Sequence, residues 1–291
     1  MDYAAISNTG AETCSAPTDQ LPSYSVLMSV YRQDVPSYVA ESIDSMISQT
    51  WMPDELVIVI DGPITGELRA MLEKRAEMSN GLIRLLTLPE NVGLGLALQV
   101  GIGECRNDWI ARMDSDDVSA LDRCEKELRL AMREQADIVG CDCAEFQKEQ
   151  KHPCAYRLFP GTHEEIVRFS KHRTPFCHPA VMMKKSRVLA AGNYRSFHLV
   201  EDYDLFVRML MDGCKSCSVQ EVLFYVRVSD DFYSRRSGLK YVEGLLRFNL
   251  FMLKNNWTTR KDFLVRSGAN IVVGLSPLPI RIWIYQRLLR K

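Results

Sequence analysis

Carboxylates are concentrated in one short segment of the chain, Asp114-Ser115-Asp116-Asp117. Acidic side chains this close repel one another, and a hard divalent cation with oxygen ligands, Mg²⁺ or Mn²⁺, would keep all of them ionised. Such a cation would also accept diphosphate oxygens. Aspartate is equally a favoured helix N-cap, so Asp116 or Asp117 could instead cap a following helix. The segment alone leaves metal binding and capping about even.

Five further positions carry residue types suited to binding or catalysis. Asp61-Gly62 could offer an acceptor to a base or ribose, and Asn91-Val92-Gly93 could present backbone N–H groups to an anion, but both are also ordinary turn sequences. Glu201-Asp202 could supply a general base or complement a helix dipole. Arg235-Arg236 could neutralise a leaving diphosphate or lie on a solvated turn. His178 could contact phosphate, although a buried structural role is favoured.

Alternating apolar strands and amphipathic helices must position these residues. The pattern up to Met113 predicts four strands and three intervening helices. The predicted strands are residues 25–30, 56–60, 82–88 and 109–113. Such a series predicts an α/β protein with a mostly parallel open sheet and helices on both faces. Asp61 and Asp114 each follow a strand directly, at the carboxyl edge where such sheets bind ligands.

The pattern becomes less regular beyond Asp117. It predicts a helix near 121–135, a strand at 138–141, and a helix that opens at Leu199-Val200-Glu201-Asp202 and ends at Gly213. The sequence contains neither the GxGxxG dinucleotide fingerprint nor a P-loop. A phosphate-bearing ligand would therefore need other groups to hold it.

Composition and charge bound the class of protein. The 291 residues are 46% hydrophobic and 25% charged, with a formal net charge of -1, which is typical of a globular protein and gives no general attraction to nucleic acid. The sequence shows no secretion signal and no membrane span, and the nine cysteines indicate reduced thiols, with zinc unlikely at the lone CxxC motif of 214–217. These features predict a cytoplasmic protein.

The order of the motifs resembles that of family 2 glycosyltransferases with a GT-A fold, over roughly Tyr24 to Arg236. The matching segments are Ser29-Val30-Tyr31, Asp61-Gly62, Asn91-Val92-Gly93, residues 111–117 and Val200-Glu201-Asp202. Residues 176–179 and 232–236 resemble the bacterial branch that includes the amylovoran-type exopolysaccharide transferases. The QxxRW motif of processive members is absent, which favours transfer of a single sugar.

The resemblance implies an inverting, metal-dependent transfer from a nucleotide-sugar, weighted toward a UDP-sugar, to a hydroxyl of a glycan acceptor, with a lipid-linked acceptor favoured. Asp202 would be the catalytic base. Asp116, with Asp114 and Asp117, would bind Mn²⁺ or Mg²⁺. The residues assigned to the nucleotide-sugar are Ser29, Val30, Tyr31, Asp61, Asn91, Gly93, Arg112, Asp114, Ser115, His178, Glu201, Arg235 and Arg236.

Three regions follow from the motifs: a flexible leader over 1–22, a GT-A glycosyltransferase domain over 23–240, and a helical basic extension over 241–291. The stretch 260–291 carries seven Lys or Arg residues against one acid, Asp262. It could dock peripherally on an anionic inner leaflet or simply pack on the domain. The sequence leaves the sugar, the acceptor and the oligomeric state open.

Two other functions compete with the transferase. A sugar nucleotidyltransferase shares the architecture, but its Gly-rich basic loop after the first strand is not supplied by Ser29-Val30-Tyr31. A non-catalytic sugar-nucleotide-binding or scaffold subunit of a polysaccharide assembly complex would not need Asp114, Asp116 and Asp202 intact. Turnover measured beside nucleotide binding would separate these functions.

Overall fold

A single nine-stranded sheet runs through the computed structural model, which describes residues 20–195, 200–228 and 238–284. The strands are β1 (Tyr24–Val30), β2 (Glu55–Ile60), β3 (Ile83–Thr87), β4 (Trp109–Met113), β5 (Val118–Ser119), β6 (Ile138–Phe146), β7 (Ala155–Arg157), β8 (Met182–Lys184) and β9 (Ser216–Arg227). Their order is β3-β2-β1-β4-β8-β6-β9-β5, with β7 paired to β6.

Helices cover the sheet and continue beyond it toward the C-terminus. They are α1 (Pro36–Ile47), α2 (Gly66–Met78), α3 (Leu94–Glu104), α4 (Arg123–Glu134), α5 (His163–Ser170), α6 (Lys185–Ala190), α7 (Glu201–Met211), α8 (Leu239–Lys254), α9 (Arg260–Leu275) and α10 (Leu278–Ile284), with a 3-10 turn at His178–Ala180. In the described part of the chain, no helix combines the length and the apolar character that crossing a membrane requires. Residues 1–19 of the predicted leader lie outside the described residues.

The first half of the sheet is the predicted βαβαβαβ series. β1 lies between β2 and β4, and β2 pairs with β3, all in parallel. Every residue of β2 and β4 is buried, which explains why these strands are continuously apolar in sequence. The four predicted strands are confirmed, with ends that differ by one residue at most.

The second half of the sheet differs from the expected pattern. β8 runs antiparallel between β4 and β6, and β6 extends five residues past its predicted end at Cys141. β9 and the two-residue β5 were not predicted. β9 escapes a sequence pattern because Gln220 and Glu221 interrupt its apolar residues and the register with β6 shifts at Asp142.

The sheet separates two hydrophobic cores. On one side, Met28 of β1 packs in a cluster with Ile58 of β2 and Ile43 of α1. On the other side, Leu27 packs in a cluster with Leu98 of α3. Adjacent residues of β1 therefore point to opposite faces, and helices cover both.

A buried pair lies beneath the end of β4. Arg123 of α4 is fully buried, and its Nε lies 3.4 Å from Oε2 of the equally buried Glu127. Its other nitrogens donate to the carbonyl of Arg112 at 3.1 Å and to that of Pro179 at 3.3 Å. The guanidinium also lies 5.2 Å from the ring centroid of Phe224 in β9. One side chain thus joins β4, the 3-10 turn, α4 and β9.

Removal of this guanidinium should be costly. We expect Arg123→Met to lower the free energy of unfolding by about 3–5 kcal/mol, because Glu127 stays buried without its partner and two carbonyls lose their donor. Urea denaturation measures the change.

Two variants on the same helix control this prediction. Arg129→Met removes an exposed pair with Glu125 and should change the free energy of unfolding by less than about 1 kcal/mol. Burial raises the pKa of Glu127 to about 8 against the opposing charge of Arg123, so the pair itself is costly to desolvate. The double change Arg123→Met, Glu127→Leu should therefore recover part of the loss. A loss for Arg123→Met no larger than that for Arg129→Met contradicts the prediction.

Candidate active site

Three predicted site segments meet at the carboxyl edge of the sheet. Tyr31 directly follows β1, Asp61 follows β2, and Asp114 follows β4. Because β1 pairs with both β2 and β4 in parallel, these chain ends lie side by side.

Asp61 and the turn at 91–93 form one hydrogen-bonded unit. The Asp61 carboxylate accepts from the Asn91 side chain at 3.0 Å and from the backbone N–H groups of Val92 and Gly93 at 2.8 and 3.0 Å. The anion that this turn binds in the structure is therefore the protein's own carboxylate. Gly62, at φ +82°, lets the two loops approach, because a Cβ there would lie 2.5 Å from the backbone nitrogen of Asn91.

The acidic cluster is anchored by Arg227, the last residue of β9. The Arg227 backbone N–H donates to Oδ1 of Asp117 at 2.8 Å, and its Nε donates to the carbonyl of Asp116 at 2.9 Å. Its Nη2 reaches Glu41 of α1 at 2.5 Å, and the guanidinium lies 4.0 Å from the ring centroid of Tyr38. These contacts fix the Asp116 carbonyl and the Asp117 carboxylate without neutralising all the carboxylates of the cluster.

The capping interpretation of the cluster is wrong. The residues after Asp117 form β5, and the next helix, α4, begins only at Arg123. Asp116 and Asp117 therefore do not stand at a helix start. Helix capping is excluded for these two residues, and metal binding by the cluster stays a prediction.

The carboxylates of the cluster raise one another's pKa. Crowding by protein atoms raises the pKa of Asp116 to about 6, and the charge of Asp114 adds to the effect. Burial, together with the charges of Asp116 and Asp114, raises the pKa of Asp117 well above its ordinary value. Asp34, which sequence analysis missed, belongs here too: burial and the charges of Asp116 and Asp114 raise its pKa to about 7, although the N–H of Tyr31 opposes the shift. Added positive charge would stabilise this edge.

The donor atoms suit a divalent cation only in part. Within the described ranges, no three His, Cys, Asp or Glu side chains are grouped closely enough to hold a metal ion on their own. Oδ2 of Asp117 is nevertheless buried without a hydrogen-bond partner, and the cluster offers hard oxygen donors. The residues fit a cation that takes further oxygens from a bound ligand.

Arg112 lies beneath the cluster with 1% of its side chain exposed. Its Nη1 pairs with Asp114, while Nε and Nη2 are buried and have no hydrogen-bond partner. An anion that binds at this edge, in addition to Asp114, would meet the guanidinium of Arg112, which is already buried away from water.

The second predicted acidic pair opens α7. Oε2 of Glu201 is buried without a partner, and burial, reinforced by the charge of Asp202, raises the pKa of Glu201 to about 7. A Cβ at Gly95, in the first turn of α3, would lie 3.3 Å from the Cβ of Glu201, so α7 starts directly against α3. The charges of Arg112, Asp114, Glu201 and Asp202 all act on the pKa of Tyr194. Tyr194 is therefore near enough to both acidic groups to feel their charges.

His178 makes a hydrogen bond inside the protein, and its contact with phosphate stays a prediction. Its Nε2 shares a hydrogen bond of 2.8 Å with the hydroxyl of Tyr194. Burial, and then the charge of Arg112, lower the pKa of His178 well below its ordinary value. The imidazole is neutral at physiological pH and orients Tyr194.

The remaining predicted residues differ in what they expose. Ser29 and Tyr31 are half-buried at the carboxyl edge of the sheet. The Val30 side chain is buried in the core. The Val30 carbonyl accepts a hydrogen bond from the N–H of Asp61. Ser115 is buried. Arg235 and Arg236 lie outside the described residues.

Three residues important to this geometry were missed by sequence analysis: Asp34, Tyr194 and Arg227. Asp34 follows the first strand by four residues, and this position was the one available signal. Arg227 and Tyr194 lie in segments without a recognisable motif and reach the site only through the fold.

Comparison with known proteins gives consistent matches. Residues 25–190 match the family model described as "Glycosyl transferase family 2". The chain is 32% identical to the UDP-Gal:alpha-D-GlcNAc-diphosphoundecaprenol beta-1,3-galactosyltransferase of Escherichia coli, over 94% of this chain and 99% of the relative. It is 30% identical to the amylovoran biosynthesis glycosyltransferase AmsE of Erwinia amylovora, over 91% of this chain and 98% of the relative.

Solved structures share the fold at low identity. TarS 1–349 of S. aureus in complex with UDP-GlcNAc gives a TM-score of 0.63 at 14% identity, over 79% of this chain and 66% of that chain. The chain spans 46% of a longer TarS structure. The mannosyltransferase PcManGT from Pyrobaculum calidifontis, in complex with GDP-Man and Mn2+, gives 0.62 at 15% identity, over 91% of this chain and 79% of that chain.

The close approach at Gly62 generates a stability prediction. We expect Gly62→Ala to lower the free energy of unfolding by about 2–4 kcal/mol, because a positive φ and a backbone clash with Asn91 both oppose the methyl group. Gly81 is the matched control, since its φ is +84° and nothing lies within 4 Å of an added Cβ. Gly81→Ala should lose only about 1 kcal/mol. Equal losses in thermal or urea denaturation would mean that the Asp61 unit does not depend on close packing.

Proposed function

The chain belongs to glycosyl transferase family 2, and from that membership we propose that it transfers a single sugar from a nucleotide-sugar to a hydroxyl of a lipid-linked glycan acceptor. It is a glycosyltransferase with the GT-A fold, an α/β fold with a mostly parallel sheet and helices on both faces. The observation that carries the proposal is that an acidic cluster at Asp114–Asp117 and a separate acidic pair, Glu201 and Asp202, both lie near Tyr194. One group can hold a diphosphate-bound cation while the other takes a proton.

We assign the donor to the nucleoside diphosphate sugars, with UDP as the nucleotide. The Escherichia coli relative is named for UDP-Gal and the TarS structure holds UDP-GlcNAc, and both support UDP. PcManGT holds GDP-Man, so the fold admits another base. Ser29, Tyr31 and the Asp61 unit would contact the nucleoside, since they line the edge beside the acidic cluster.

Mn²⁺ or Mg²⁺ would bind at Asp116, Asp114 and Asp117. Raised pKa values and the unpartnered Oδ2 of Asp117 support a cation at this place, as does the Mn2+ in the PcManGT structure. When bound, the cation supplies positive charge that stabilises the departing diphosphate. The buried guanidinium of Arg112 adds a second, fixed positive charge to the same edge.

Asp202 is the proposed base. It takes the proton of the acceptor hydroxyl as that oxygen attacks the anomeric carbon, and the bond from this carbon to the diphosphate breaks on the opposite face, which inverts the configuration. Glu201, whose pKa is about 7, lies beside it and helps to position the first turn of α7. Tyr194, whose hydroxyl shares a hydrogen bond with His178, lies near both acidic groups.

The biological setting follows from the relatives. One is named for a diphosphoundecaprenol substrate and another for amylovoran biosynthesis. We therefore place the reaction in bacterial exopolysaccharide, capsule or O-antigen synthesis, in the cytoplasm at the inner face of the plasma membrane. Residues 23–240 would carry the reaction, and 241–291 would form an attached helical extension.

Nucleoside diphosphate release tests the proposal. Wild-type protein is assayed with a panel of UDP-, GDP- and dTDP-sugars, with a diphosphoundecaprenol-linked sugar as acceptor, in Mn²⁺, Mg²⁺ or EDTA. We expect metal-dependent release from one UDP-sugar, a loss of about 10²–10⁴-fold for Asp202→Asn, and comparable loss for Asp116→Ala.

Donor binding separates the two variants. Asp202→Asn should bind the UDP-sugar normally, whereas Asp116→Ala should lose metal-linked binding. Asp122→Asn, an exposed aspartate outside the cluster that pairs with Lys126, is the control and should keep full activity. Tight metal-linked donor binding without turnover of any acceptor would favour a non-catalytic sugar-nucleotide-binding subunit instead.

A further inference from the structure

Helix α9 presents its apolar side chains to the outside of the molecule. Five of them are strongly exposed: Leu264 at 68%, Val265 at 63%, Ile271 at 40%, Val272 at 65% and Leu275 at 52%. Their spacing puts them on one side of the helix. A surface helix normally buries such a side.

The inner side of α9 is mostly small and polar, and the half-buried apolar residues of the helix are Phe263 and Val273. Ser267 and Gly274 are its buried residues, and the Ser267 hydroxyl accepts from the Asn249 side chain of α8 at 3.2 Å. A Cβ at Gly274 would lie 2.5 Å from Val242 of α8, so the two helices approach closely there. Packing within the described part of the chain therefore uses the polar side of α9 and leaves the apolar side outward.

Positive charge accompanies the outward face. Arg260 and Lys261, both exposed, occupy the first turn of α9, where cations oppose the helix dipole. Lys171 and His172 also act on Asp262 in this turn. In sequence, residues 260–291 carry a net charge of +6, while the remaining residues carry −7. Helix stability does not explain cations at this position.

We infer that the outward face of α9, with Arg260 and Lys261, docks on the surface of an anionic lipid bilayer. Apolar side chains would enter the headgroup boundary while the cations meet lipid phosphates. A second copy of the chain fits less well, because an isologous contact brings together two identical faces that each carry net positive charge. The inference rests on the proposed function only in that a lipid-linked acceptor gives the docking a purpose.

Docking at α9 would also orient the active site. Nη1 of Arg266, on the inner side of α9, donates to the hydroxyl of Tyr203 at 2.9 Å. Tyr203 is the neighbour of Asp202 in α7, and Phe248 of α8 packs against its ring at a centroid distance of 4.7 Å. Tyr203, the chain neighbour of the proposed base, is therefore joined to the docking helix by one direct hydrogen bond and to α8 by one ring contact.

Vesicle co-sedimentation of the full chain tests the inference. Phosphatidylcholine vesicles are compared with vesicles that contain about 30% phosphatidylglycerol, at low and high salt. We expect wild type to bind the anionic vesicles at least about tenfold better and to lose affinity as salt rises. Leu264→Asp with Val272→Asp, and separately Arg260→Glu with Lys261→Glu, should each weaken this binding about tenfold or more.

Matched measurements keep the result distinct from folding and from catalysis. Met78→Asp, at a residue 73% exposed at the end of α2, should leave vesicle binding unchanged. UDP-sugar binding should be the same in all these variants, and none of them should have a lower melting temperature than wild type. A wild type that binds vesicles but cleaves no donor fails only the proposed function. Wild type that binds no anionic vesicles, or that forms dimers which Leu264→Asp with Val272→Asp dissociates without any lipid binding, overturns the inference.

Discussion

The buried guanidinium of Arg123 is the interaction on which the rest of the site depends. β4 ends where the sheet changes from parallel to antiparallel pairing, and a strand end in such a place leaves a carbonyl to satisfy. Arg123 satisfies it from below and binds the Pro179 carbonyl as well. The acidic cluster and the turn that carries His178 are thereby held to one support.

The carboxylates of the acidic cluster lie close enough together to repel one another. Asp34, Asp116 and Asp117 all have raised pKa values. Arg227 holds the Asp116 carbonyl and the Asp117 carboxylate in place and offsets only part of the cluster's charge. The Asp61 unit is also held in place, because the Asp61 carboxylate accepts hydrogen bonds from groups of the neighbouring turn. A ligand that brings positive charge would find the groups already oriented, which is the condition for efficient electrostatic stabilisation.

Sequence reasoning reached the parts of the molecule that are encoded locally. The first four strands follow from short apolar runs, and Asp61, Asp114 and Glu201 follow from their positions at the ends of elements. It could not reach Arg227, whose importance arises from contacts with residues more than 100 positions away, nor β9, whose polar middle residues hide a strand. The capping alternative for Asp116 failed because the chain turned into β5 instead of a helix. A carboxylate can cap only where the next residues are helical, and here tertiary pairing with β9 makes them a strand.

The distance along the chain between Asp117 and Arg227 also bears on biosynthesis. The two residues are 110 positions apart, so at about 5–20 residues per second the ribosome makes Arg227 roughly 5–20 s after Asp117. During that interval β1 to β4 can pair, but the acidic edge lacks its anchor. The acidic edge of a nascent chain therefore stays unfinished until the ribosome has passed Arg227.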